Sequence, residues 1–184
     1  MSDSIQARFR IVTPMFLGDA RQRTADGIRP PAVKGALRFW WRALNWGRFR
    51  QAAADDAQAL RRLHDEEGRL FGQAAEKGRD DRGQGVFLLR LTDHDTRPRS
   101  PEVEWPQNAT QSGFLGFGLF KMKNNDQRQA LKEDGRFTLE MRFNPQRAET
   151  GDADQVREAL RALGLLGGLG SRARRGFGSL ALED

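Results

Sequence analysis

Residues 28–46 read IRPPAVKGALRFWWRALNW. Two prolines open the stretch, and behind them bulky apolar residues and cations interleave without a single acid. Proline is tolerated in the first turn of a helix, where its missing N–H would have no partner, so Pro30 and Pro31 predict a helix start. On a helical wheel Val33, Ala36, Leu37, Trp40 and Leu44 share one arc, extended by Phe39, Ala43 and Trp46, while Lys34, Arg38, Trp41, Arg42 and Asn45 gather on the other. The pattern predicts a helix to about Trp46 that buries Trp40 and offers Lys34, Arg38, Arg42 and the Trp41 indole to a partner.

The charge around this helix is local. The chain of 184 residues carries a net charge of +6, yet residues 21–50 hold Arg21, Arg23, Arg29, Lys34, Arg38, Arg42, Arg48 and Arg50 against Asp26 alone. The remainder is therefore nearly neutral. Guanidinium pairs bidentately with phosphate and stacks on bases, so concentrated arginine points to a phosphate-rich partner. The length suits one domain, residues 1–184, and the chain contains no cysteine, which excludes a disulfide framework and thiolate zinc sites. The start, MSDSIQARFR, lacks an apolar signal region, and no run approaches the roughly 20 apolar residues that cross a bilayer. A cytoplasmic protein, with no metal and no cofactor, is expected.

Working outward, Ala7 to Leu17 reads as a first strand with a basic polar face, followed by an exposed loop from Gly18 to Arg29. A second helix is predicted over Gln51 to Leu70, where Ala53, Ala57, Leu60 and Leu63 recur at helical spacing. Residues 73–85 are charged and glycine-punctuated and predict a mobile insertion; Val86 to Leu91 predicts an apolar strand; residues 93–112, with three prolines, predict a second insertion. Gly113 to Phe120, GFLGFGLF, reads as an apolar loop packed on the core. Arg136 to Phe143 alternates strictly and predicts a strand with Phe137, Leu139, Met141 and Phe143 facing inward. Asp152 with Gln155 has capping-box spacing and opens a helix that buries Val156, Ala159, Leu160 and Leu163.

A second informative stretch, Gly167 to Gly178, reads GGLGSRARRGFG and leads into a terminal strand, Phe177 to Leu182. Gly167, Gly168, Gly170 and Gly176 permit close approach of a phosphate to the backbone, beside Ser171, and Arg172, Arg174 and Arg175 add charge. These glycines follow a helix and precede a strand, the reverse of a nucleotide-binding P-loop, so nucleic acid rather than a nucleotide cofactor is the expected ligand. The element order is that of a ferredoxin-like, RRM-like β-α-β-β-α-β unit with insertions, an α+β fold.

Together RPPAVKGALRFWWRAL and LLGGLGSRARRGFGSL resemble the RAMP superfamily of CRISPR-associated proteins, and TPMFLG, LFG and the RPP-x-x-KG-x-LRFWWR run are similar to the first-numbered Cmr subunits of type III-B effector complexes. The resemblance implies a RAMP-type ferredoxin-like fold. It further implies a non-catalytic subunit of an antiviral ribonucleoprotein, bound to CRISPR RNA, target RNA and other RAMP subunits, with no membrane. Its RNA contacts would carry over to Lys34, Arg38 and residues 167–176; Arg21, Arg23, Arg29, Trp41 and Arg42 extend them by charge and geometry. Members of that subunit family hold two RAMP-type domains, and this chain has room for one. Two other readings stay open: a RAMP endoribonuclease using His64 or His94, or an aspartate such as Asp19, Asp26 or the Asp80–Asp81 pair with a divalent ion, and a protein-only assembly module docking through the tryptophan helix.

Overall fold

The computed structural model describes residues 4–18, 24, 27–74, 83–95, 111–119 and 128–183. Eight elements carry the fold: strand β1 (Ser4–Ile11), helices α1 (Pro30–Gln51) and α2 (Asp56–Phe71), strand β2 (Phe87–Asp95), the short helix α3 (Gln111–Leu115), strand β3 (Arg136–Phe143), helix α4 (Asp152–Leu166) and strand β4 (Leu180–Leu182). The strands form one antiparallel sheet in the order β2-β3-β1-β4. This is the ferredoxin-like arrangement expected from the element order, with the two β-α units interleaved so that β1 and β3 are central.

Period-two alternation decides which sheet face is covered. In β1, Ile5, Ala7, Phe9 and Ile11 are buried, and in β3 so are Phe137, Leu139, Met141 and Phe143, as their spacing predicts. Phe9 stacks on Phe137, its partner across the ladder, with ring centroids 5.5 Å apart. Against these rows α1 presents Val33, Leu37 and Trp41, and α4 presents Val156, Ala159, Leu160 and Leu163. The opposite face carries Arg8, Arg10 and Arg136, which converge on Glu183. Hydrogen bonding from Arg136 leads the effects that hold the Glu183 carboxyl below the usual carboxylate range.

Several boundaries depart from expectation. β1 ends at Ile11 because the ladder passes to single bridges: Val12 donates to Ser179 O and Met15 pairs with Leu131. α1 runs five residues past Trp46, and α2 starts at Asp56, not Gln51, because Asp55 caps it: the Asp55 carboxylate accepts from Gln58 N at 2.7 Å and the Gln58 amide oxygen accepts from Ala54 N at 2.9 Å. The expected capping box at Asp152 and Gln155 is absent. Gly151 occupies the N-cap in the left-handed region, Asp152 pairs with Arg69, and Gln155 turns to Trp41. The terminal strand spans only three residues, since Phe177 to Ser179 belong to the loop before it. The insertions expected at 73–85 and 93–112 lie mostly outside the described residues; the base of the first is closed by Gln73 N donating to Gly83 O at 2.9 Å.

Candidate nucleic-acid interface

The glycine-rich loop begins where Gly167 N donates to Leu163 O and closes α4. From there the chain is stitched to residues 13–16: Ser171 N donates to Phe16 O, Gly178 N to Pro14 O and Ser179 N to Thr13 Oγ1, while Leu169 N donates to Gly178 O across the loop's base. This gives TPMFLG a structural role as the rail to which the loop is tied. Two glycines are required. Gly170, at φ +90°, would place a Cβ 2.6 Å from Phe16 O, and Gly178, at φ +62°, would drive one into the Leu169 carbonyl. Arg172 itself adopts φ +61°, a conformation unusual for a side-chain-bearing residue, and is held there by Arg175 N donating to its carbonyl and by its own Nη2 donating to Phe117 O.

The backbone turned in this way projects Arg174 and Arg175 into solvent, and neither has an acidic partner among the described residues. Gly170, Arg172, Ala173, Arg174 and Arg175 line a cavity of about 440 Å³.

The cations of α1 have a different setting. Val33, Leu37 and Trp41 form one buried i, i+4 stripe, and Lys34, Arg38 and Arg42 run beside it, one residue later, along its border. Glu67 of α2, 3% exposed, accepts from Arg38 Nε at 2.6 Å and from Arg42 Nη1 at 2.9 and 3.1 Å. One carboxylate thus offsets one of three cations. Lys34 lies 5.9 Å from the Phe87 ring centroid, and burial, then the charge of Arg38, pushes its pKa below the ordinary 10.5. With Arg38, Pro30, Pro31, Phe71–Ala74, Gly83–Gly85 and Phe87–Leu89 it lines a cavity of about 470 Å³.

Trp41 is not part of this surface. The expectation that Trp40 is core and Trp41 open is reversed: Trp41 is fully buried, tilted against Phe49 and edge-on to Phe71, with Nε1 donating to Gln155 Oε1 at 3.0 Å. The buried face is centred on Leu37, so the residue four positions on is carried inward and Trp40 is left half-buried at its edge. A Cβ at Gly167 would lie 2.6 Å from Trp40 Nε1, so Trp40 packs on the glycine-rich loop. The two basic surfaces therefore flank α1, one toward α2 and β2 and the other toward α4, and share no lining residue. Arg29 is exposed and donates to Gly18 O. Arg21 and Arg23 lie outside the described residues, as do Asp19, Asp26, Asp80 and Asp81. His64 is exposed on α2, and no group of three or more potential metal ligands occurs among the described residues. No helix among them is long and apolar enough to cross a membrane. The sequence reading overlooked Glu67; its place three residues before Leu70, on the face of α2 that meets α1, was the available signal.

A four-stranded ferredoxin-like sheet with a glycine-rich, arginine-bearing connection between its last helix and last strand defines a class of cation-presenting α+β proteins. The chain belongs to the RAMP superfamily, whose profile matches residues 8–181. Among curated proteins it is similar to the CRISPR system Cmr subunit Cmr1-1 of Pyrococcus furiosus, 26% identical over 172 residues that cover 93% of this chain and 45% of that one. Among solved structures it resembles Cmr1 from Pyrococcus furiosus in its apo form, with a TM-score of 0.64 and 22% identity over 99% of this chain and 50% of that one. A chain of the type III-B Cmr-beta complex bound to cognate target RNA gives a TM-score of 0.61 at 15% identity, covering 100% of this chain and 54% of that one. A chain of a type IV-B CRISPR complex gives 0.58 at 16% identity, with 98% and 89% coverage. The chain thus spans about half the length of its Cmr1 relatives and nearly the whole length of the type IV-B chain.

Proposed function

We propose that this protein is a non-catalytic, RNA-binding subunit of a type III, Cmr-like CRISPR ribonucleoprotein, and that it grips the phosphate backbone of guide or target RNA alongside other RAMP subunits. The observation that carries this is the pair of exposed guanidiniums, Arg174 and Arg175, held on a rigid glycine-rich loop with no acidic partner among the described residues. Arg172 and the loop backbone at Gly167, Gly168, Gly170, Ser171 and Gly176 shape the same surface. Lys34, Arg38 and Arg42 form a second, weaker contact across α1, weaker because Glu67 offsets part of their charge. Arg21, Arg23 and Arg29 lie on the segment leading into α1 and extend the basic approach. Similarity to Cmr1 supports the assignment of complex, and backbone contacts carry no base code, so the protein binds RNA without reading its sequence.

The test is anisotropy of a labelled unstructured oligoribonucleotide titrated with the whole chain at several salt concentrations. Arg174→Ala with Arg175→Ala removes two phosphate contacts and flattens the slope of log K against log salt by about 1.4, at roughly 0.7 per contact on a single strand. An unchanged slope and affinity would refute the proposal.

A further inference from the structure

The segment from Gly113 to Phe120 was expected to pack on the core; Phe120 lies outside the described residues, Gly113, Gly116 and Leu119 are buried, and the side chains of Phe114, Leu115 and Phe117 are exposed. Leu119 is buried with Phe16, Ala130 and Phe177 in a small apolar cluster, where Phe16 and Phe177 meet edge to face at 5.7 Å. Phe177 belongs to the glycine-rich loop and Phe16 to the rail that carries it, so one cluster ties α3 and its following turn to the arginine loop. Arg172 Nη2 reinforces the tie by donating to Phe117 O at 2.8 Å, and Gly118, at φ +83°, turns the chain beside that guanidinium. Beyond this anchor the side chains face outward: Phe114 is 70% exposed and Phe117 59%.

Two open aromatic rings on the turn that Arg172 holds, joined through it to the loop that carries Arg174 and Arg175, give the region a double chemistry. The guanidiniums suit phosphates and the rings suit unpaired base faces, a combination that neither a duplex nor an apolar protein segment satisfies in full. We infer that Phe114 and Phe117 form a base-stacking wall of the arginine loop, so that the ligand gripped there is an RNA single strand with its bases turned toward α3. This rests on the phosphate-binding reading of the loop and names the form of RNA it takes.

The experiment uses the whole chain and an unstructured oligoribonucleotide containing 2-aminopurine, whose fluorescence is quenched on stacking against an aromatic ring, with an RNA duplex of equal length as comparison. Phe114→Ala with Phe117→Ala is expected to lower single-strand affinity by about tenfold per ring, abolish the quenching and leave both duplex affinity and the salt slope unchanged. Both positions are exposed, so the fold survives the change. Phe114→Leu with Phe117→Leu is expected to fail equally, because it keeps apolar area and removes the π-face. If leucine restores what alanine lost, apolar contact without a π-face suffices and the stacking inference falls. If the phenylalanine variants bind and quench normally while Arg174→Ala with Arg175→Ala still weakens binding, stacking alone is refuted; if neither pair alters binding, the phosphate-binding reading falls with it.

Discussion

Glu67→Gln separates the structural role of the α1 arginines from their proposed role in RNA binding. Glutamine keeps the shape of the side chain and one carbonyl acceptor but removes the charge that Arg38 and Arg42 share. The α1 flank, Lys34, Arg38 and Arg42 against Glu67, carries a net charge of +2, which the substitution raises to +3. One further cation available to phosphate steepens the single-strand salt slope by about 0.7, which over a fourfold change in salt is about a 2.6-fold difference in affinity. The cost falls on stability. Charge-assisted hydrogen bonds contribute about 1.5–3 kcal/mol when well shielded, but the Arg38 and Arg42 side chains are 30% and 47% exposed and screened by solvent. A net loss of about 1–2 kcal/mol follows, which for a chain of this length lowers Tm by about 2–8 °C. Thermal unfolding and RNA anisotropy on the same preparation should move in opposite directions: a less stable protein that binds RNA more tightly at low salt. Tm falling with RNA affinity unchanged would show that Arg38 and Arg42 serve only the fold. Unchanged Tm would refute the pairing of both arginines with the buried Glu67.

Arg69→Met should be the more damaging change. Its guanidinium donates to both Asp152 oxygens, at 2.6 and 2.9 Å, and this carboxylate, with that of Glu66, raises its pKa further, so its removal strands a carboxylate in the core. The cost is about 3 kcal/mol, at the low end for a broken buried pair because Glu149 N still donates to Asp152, and a denaturant titration reads it directly. Lys34→Met tests a trade-off. The folded pKa of Lys34 lies below 10.5, so the unfolded chain binds more protons between the two values and stability rises with pH through that window. The variant should lose this rise, melt at a higher temperature at neutral pH and bind RNA less tightly; a lower neutral-pH melting point would contradict the burial argument. Gly178→Ala should displace the loop and cost well over 1 kcal/mol, because φ is +62° and Leu169 O blocks the methyl group; Gly176→Ala, at φ +87° in open space, carries only the conformational penalty. Equal melting temperatures for the two would argue against the close approach at Gly178.

The sheet was legible because alternation in β3 and the buried row of β1 depend on period two alone, which neighbouring elements cannot disguise. The loop's backbone was legible for a similar reason: glycines at 170 and 178 are demanded by close backbone approach, and of the arginines between them Arg174 and Arg175 are exposed while Arg172 turns to Phe117 O. The tryptophans of α1 were not legible. Residues 40 and 41 lie on opposite borders of the apolar arc, and their fates turn on Phe71 and Gln155, more than 25 and 100 residues away, which fill one border and leave the other to Gly167.

Local pattern also failed where the same motif occurs twice. Asp55-x-x-Gln58 and Asp152-x-x-Gln155 have identical spacing, and only the first caps its helix. The first lies in an exposed connection between α1 and α2, where no distant group competes for its side chains, so the nearest unsatisfied N–H groups win. The second lies at the buried start of α4, within reach of Arg69, which also binds Glu66, and of the Trp41 indole N–H, which would otherwise be left unpaired inside the molecule. Leaving a buried donor unsatisfied costs about 1–3 kcal/mol, more than the roughly 1 kcal/mol a cap contributes, so tertiary partners take both side chains and the cap passes to Gly151. The same competition governs the proposed interface: Arg38 and Arg42 are paired with Glu67, whereas Arg174 and Arg175, on the loop tied to the rail at residues 13–16, have no acidic partner among the described residues.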